Sequence, residues 1–209
     1  MPYDADSTLS QFLAGTAAKQ PAPGGGSVTA LCGALAAAIG EMVLNYSVGK
    51  KGLEAHQAEL KSVLEEMFRA RHVMLELMVD DQSAYEALTA ARKLPKASDE
   101  FKSAYPAALL ASIRTPEAIA ATAAAILQLT ERLVDRVNYH LLSDLAVCAE
   151  LAMATVRCGI YSVRVNQSSM TDAEDRQRVD ETIDHLLAQA VTTIQRVIPR
   201  IWDRNRQGQ

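Results

Sequence analysis

Four features of this 209-residue chain could do chemistry. The first is the tract Pro23-Gly24-Gly25-Gly26-Ser27. Three glycines ahead of a helix let the backbone approach a ligand closely. The helix start also turns free N–H groups outward, which suits an anionic or carbonyl-bearing group. The same tract also reads as a flexible linker closed by a serine cap, and it lacks the lysine of a phosphate-binding loop. The second feature is Asp81, which falls where the next core residue of an apolar stripe belongs, between Met78 and Tyr85. A carboxylate there must be paired, hydrogen-bonded or open to a cavity. Arg71 lies too far along the same helix to pair with it, so a partner from another helix is expected. Asp80 points about 100° away and reads as solvated surface charge.

The third feature repeats the pattern. Asp144 interrupts a second apolar seam, between Leu141 and Cys148. Two acids on two seams suggest one polar cleft between long helices, although Asp144 could equally serve a helix start. The fourth is Lys50-Lys51 after Gly49. These read either as cations favouring a helix C-terminus or as a dock for an acidic ligand tail. The four histidines show no ligand spacing, so no metal is expected. The three cysteines have no metal spacing either and read as reduced, mostly buried thiols. No nucleophile elbow or dinucleotide fingerprint occurs.

The elements that must hold these residues are helices. Alanine supplies roughly one residue in six, and no alternating β-branched run appears. Length and the 49% apolar content fit one globular domain over residues 1–209. The net charge of −4 argues against a general nucleic-acid binder. The start, MPYDADSTLS, is too acidic and polar for a signal peptide. The Ala/Gly-rich run Val28–Leu44 contains Glu41 and reads as a core helix, not a membrane span. A cytoplasmic protein is expected.

The pattern predicts a short helix from about Thr8 to Lys19 with Ser7 as cap, and a second from Ser27 to about Tyr46. Gly33, Ala37 and Gly40 give the second helix a close-packing row. A long helix covers Leu53–Leu94 and ends at Pro95. Its seam is Leu60, Leu64, Met67, Arg71, Met74, Met78, Asp81, Tyr85 and Leu88. A connecting stretch with Pro106 follows. Thr115 is expected to cap the next helix with Pro116 at its first position. Its seam runs from Ile119 to Leu151, with a break near Asn138–Ser143 where Ser143 caps a further helix. Thr171 and Glu174 form a capping box for the last helix. The expected fold is all-α: a bundle of about five to seven long antiparallel helices, dimeric through its apolar seams.

The ordered set of motifs resembles the cyclodeaminase/cyclohydrolase family. The residues are Pro21-Ala-Pro-Gly-Gly-Gly-Ser-Val28, Gly49-Lys-Lys51, Asp80-Asp-Gln-Ser-Ala-Tyr85, Lys93-Leu-Pro-Lys96, Thr115-Pro116, Asn138, Ser143-Asp144 and Val163-Arg-Val-Asn166. They cover nearly the whole chain in the family's order. This folate-dependent group includes the cyclodeaminase half of formiminotransferase-cyclodeaminase and stand-alone methenyltetrahydrofolate cyclohydrolases.

The resemblance implies a helical dimer, a folate cleft and a catalytic aspartate, which falls on Asp81. It makes Gly24, Gly25, Gly26, Ser27, Lys50, Lys51, Asn138, Ser143, Asp144 and Asn166 candidate substrate-binding residues. The chain departs from the family at Val137, where glycine is usual, and at Ser162, where asparagine is usual. The leading expectation is hydrolysis of 5,10-methenyltetrahydrofolate to 10-formyltetrahydrofolate. No cofactor beyond the tetrahydrofolate substrate is needed for that. The runner-up is formiminotetrahydrofolate cyclodeaminase. A helical dimer that binds a folate, another ligand or a partner protein without turnover is a third reading.

Overall fold

The computed structural model describes residues 3–207; residues 1–2 of the acidic start and residues 208–209 lie outside them. Six α-helices make up the fold: α1 Leu9–Ala17, α2 Gly25–Asn45, α3 Gln57–Arg92, α4 Asp99–Leu133, α5 Leu142–Gln167 and α6 Ala173–Gln207. Single 3-10 turns, Glu54–His56 and Tyr139–Leu141, lead into α3 and α5. No strand occurs among the described residues.

Four helices form a ring. α2 packs against α3 and α5, and α4 packs against the same two from the other side, while α6 lies along α4 and α5. Small residues on α2 set how closely its neighbours approach. A methyl group on Gly33 would strike Met74 of α3, and one on Gly40 would press on Met67 and Cys148. Gly159 of α5 sits against the Pro116 carbonyl and Ala120 of α4, so this crossing is equally tight. The predicted stripes become the core: Leu60, Met67, Met74, Met78 and Leu88 of α3, Ile119 to Leu133 of α4, and Val179, Ile183, Val197 and Ile201 of α6. Arg71, the first charge on the α3 seam, pairs with Glu41 of α2 at 2.6 Å.

Several element boundaries differ from expectation. Thr8, not Ser7, caps α1 through a capping box with Gln11. Two glycines precede Ser27 inside α2, so Ser27 is a first-turn residue rather than a cap. Ser143 lies exposed in the first turn of α5, behind Leu141. Asp172 caps α6 in place of Thr171, its Oδ1 accepting from the Glu174 and Asp175 N–H groups. The largest difference is α4. It is capped by Ser98 and continues through Pro106 and Pro116, where a connection and a new start were expected. A proline inside a helix leaves one carbonyl without its donor. For Pro116 that carbonyl is Ser112, and the Asn166 side-chain amide of α5 fills it at 2.7 Å. Of the three thiols only Cys148 is buried; Cys158 is exposed and Cys32 is in between.

Candidate active site

α2 begins while α3 and α5 continue past it, so a notch opens between them at the start of α2. The notch is a cavity of about 310 Å³. The Pro21–Gly26 turn forms one wall. Asp81, Gln82 and Tyr85 of α3 face Tyr161, Ser162, Val165 and Asn166 of α5 across it.

Asp81 sits at the back of the notch, over the first turn of α2. Ser27 is fully buried, and its hydroxyl donates to Asp81 Oδ2 at 2.9 Å. A β-carbon on Gly26 would overlap Asp81 Oδ1, so only glycine admits the carboxylate here. The α2 start has no side-chain cap of its own, since Gly24 occupies that position. Asp81 therefore lies, from another helix, against a helix start that has no side-chain cap of its own. Burial pushes the Asp81 carboxyl above the usual aspartate range; the Ser27 hydroxyl, and its backbone N–H less so, oppose that rise. A carboxylate whose proton affinity is raised, beside an open cavity, can take a proton from water and return it. It can also stabilise a cation in a partly dry site.

Gln82 anchors the neighbouring wall. It is buried and exchanges hydrogen bonds with the Tyr3 backbone, at 2.8 Å and 2.7 Å. Tyr3 meets Phe12 edge-on at 6.0 Å, which ties the segment before α2 onto α3.

The expected site residues divide into two groups. Gly24, Gly25, Gly26, Ser27, Asp81 and Asn166 come together at the notch, with Ser27 just behind its wall. Lys50, Lys51, Asn138, Ser143 and Asp144 lie at the opposite end of the same chain. α2 alone separates the two ends by about 30 Å. Lys50 and Lys51 are exposed beyond its C-terminus. The Asn138 N–H donates to Ser47 at 2.9 Å, and the Asn138 side chain accepts from the His140 N–H. Asp144 occupies the first turn of α5, whereas Asn166 is in its last. Asp81 and Asp144 therefore share no cleft within one chain.

Of the two departures, Ser162 lines the notch and Val137 is fully buried at the far end. Sequence reasoning missed Tyr85 and Tyr161 as wall residues. Tyr85 was visible as the next stripe position after Asp81, one turn along the same face. Tyr161 carried only the weaker signal of an aromatic one turn before Val165.

Comparison with known proteins gives this geometry a lineage. The formiminotransferase-cyclodeaminase family profile matches residues 8–185. A methenyltetrahydrofolate cyclohydrolase of Methylorubrum extorquens is 32% identical over 194 residues, covering 91% of this chain and 93% of that protein. A formimidoyltransferase-cyclodeaminase of Sus scrofa is 30% identical over 92% of this chain, but the match spans only 36% of that longer protein. The crystal structure of a formiminotetrahydrofolate cyclodeaminase from Thermotoga maritima superposes with a TM-score of 0.88 at 28% identity, covering 95% of this chain and 97% of that one. The profile match over most of the chain, with a relative of similar length, places the protein in the formiminotransferase-cyclodeaminase family.

Proposed function

We propose that the protein hydrolyses 5,10-methenyltetrahydrofolate to 10-formyltetrahydrofolate, with Asp81 as the catalytic carboxylate. The observation that carries this reading is Asp81 itself: half-buried, raised in pKa, held by Ser27 and open to the notch. The cyclohydrolase relative, 32% identical over most of both chains, supports this reaction.

The bridging carbon of the substrate carries delocalised positive charge. Asp81, ionised, attracts it and orients a water molecule. The water oxygen bonds to that carbon while one of its protons passes to Asp81. The bond from the carbon to N5 then breaks, N5 receives a proton, and the formyl group stays on N10. The second water proton leaves to solvent. Tyr85 and Tyr161 supply flat walls for the ring system.

A second reading rests on the cyclodeaminase neighbours. There N10 attacks the formimino carbon, the N10 proton passes to the imino nitrogen, and protonated Asp81 gives that nitrogen a second proton as its bond to the carbon breaks and ammonia departs. The methenyl species is the substrate of the first reaction and the product of the second, so one site suits both.

We also propose that the protein works as a homodimer. The outer face of α2 is an apolar stripe: Val28, Leu35 and Tyr46 are 40%, 54% and 65% exposed. Leu31, Ile39 and Met42 fill the stripe between them. Two copies of α2 laid antiparallel bury both stripes. The same pairing brings Lys50 and Lys51 of the second copy, with Asn138, Ser143 and Asp144 behind them, toward the glycine turn of the first. Each notch then draws on both chains, and the two groups of expected residues meet. The test is turnover: purified protein is given each substrate separately, and the methenyl absorbance is followed. Decay of added methenyltetrahydrofolate supports the first reading, and a rise from formiminotetrahydrofolate supports the second. No change with either overturns both.

A further inference from the structure

A second cavity, about 640 Å³, lies where α3 ends and α4 begins. Arg92, Lys96 and Lys102 line it, with Phe101, Tyr105 and Ser169. Three cations share one groove, and no carboxylate lines it, although the chain as a whole is acidic. Among the described residues Arg92 and Lys96 make no ion pair, and Lys102 meets only Asp99, on its own helix, at 3.3 Å. The Phe101 and Tyr105 rings stack at 4.8 Å and 15°, forming a flat apolar wall beside the charges.

The groove lies further along α3 than the notch, at the end of that helix. On α3, Asp81, Tyr85, Leu88 and Arg92 occupy successive turns of one face. Arg92 is about 16 Å along the axis from Asp81. Ser162 and Asn166 of α5 border the notch, and Ser169, just past the end of that helix, lines the groove. A ligand whose reacting end sits at Asp81 and whose other end is a chain of carboxylates matches this layout. The cations meet the carboxylates, and the aromatic wall covers the methylene groups between them.

We infer that the Arg92–Lys96–Lys102 groove holds the acidic glutamyl tail of the folate on the same chain whose Asp81 faces the reacting carbon. This rests on the folate reading above. It also moves the tail away from Lys50 and Lys51, which lie about 30 Å from this notch in the same chain.

The test compares substrate carrying one glutamate with substrate carrying five. In the wild-type protein the longer tail lowers KM. In the double variant Arg92→Ala/Lys96→Ala, KM for the pentaglutamate rises about tenfold, KM for the monoglutamate stays within about twofold, and kcat is unchanged for both. The wild-type preference also fades at 0.5 M salt, because exposed charges are screened. Both residues are exposed and unpaired, so the variant keeps its fold; circular dichroism checks this. Equal effects on both substrates, or no effect, overturn the inference. Selective loss in Lys50→Ala/Lys51→Ala instead also overturns it. If the wild-type protein turns over neither substrate, equilibrium binding of the two folates decides separately. Tighter pentaglutamate binding that needs Arg92 and Lys96 sustains the groove while the catalytic reading fails, and equal binding overturns the groove as well.

Discussion

The Ser27 hydroxyl donates to Asp81 Oδ2 at 2.9 Å, joining the first turn of α2 to the middle of α3 across 54 positions of sequence. This contact makes an acid tolerable inside an apolar seam. It also fixes the carboxylate at the wall of the cavity that Asp81 lines.

Replacing Asp81 by asparagine keeps a polar group against Ser27 and removes the charge. Turnover falls by about 10²–10⁴, the range expected for losing a positioned acid–base group. The fold is retained and slightly stabilised at neutral pH, by about 2 °C in Tm, because burying the charge no longer costs anything. The sign follows from the raised pKa: the folded state holds the proton more tightly than the unfolded chain. The charge therefore destabilises the fold above that pKa and stops doing so as pH falls through it. The gain in Tm should shrink toward zero in acid, as a melting series across pH would show.

The same raised pKa sets the rate profile. If ionised Asp81 accepts the proton from water, kcat/KM rises with pH on a limb lying above the usual aspartate range. A limb at the ordinary aspartate position would mean that the group is not tuned as described. The profile can be read from initial rates in constant-ionic-strength buffers.

Gly26→Ala introduces a methyl group where Asp81 Oδ1 sits. The carboxylate must swing away from Ser27, and activity drops at least tenfold while helix content stays the same. Wild-type rates in this variant would show that the carboxylate is not needed in its observed place.

Asn166→Ala tests the repair of the α4 proline. Without the side-chain amide, the Ser112 carbonyl has neither Pro116 nor Asn166 as donor. Stability should fall by about 1–3 kcal/mol, measured by urea unfolding. Because Asn166 also lines the notch, KM should rise in the same variant.

Leu35→Arg places a charge at the centre of the α2 outer stripe, where the leucine is 54% exposed. The variant should be a folded monomer by light scattering with reduced turnover, because each notch loses the second copy's contribution. A fully active monomer would remove the dimer from the account.

Much of this arrangement was legible in the chain. Asp81 stood out because a carboxylate occupied a stripe position, and the stripe itself predicted the length of α3. The α2 glycines were readable as close-packing positions. The path of α4 was not, because the group that makes Pro116 tolerable is Asn166, fifty residues later on another helix. The division of the site residues was equally hidden. Chain order sets Lys50 soon after Ser27, but a straight 21-residue helix carries it to the far end of the bundle. The cationic groove escaped notice because Lys93-Leu-Pro-Lys96 reads as a helix stop. Only the turn into α4 brings Phe101 and Tyr105 alongside Arg92.

The central claim is that Asp81, at the start of α2, acts on a tetrahydrofolate carrying a methenyl bridge. The most direct measurement is the near-ultraviolet decay of added methenyltetrahydrofolate, with wild-type protein, with Asp81→Asn and with buffer alone. The account predicts fast decay with the wild type and a buffer-like rate with the variant. Equal acceleration by both proteins would contradict it, since the chemistry would then lie away from Asp81.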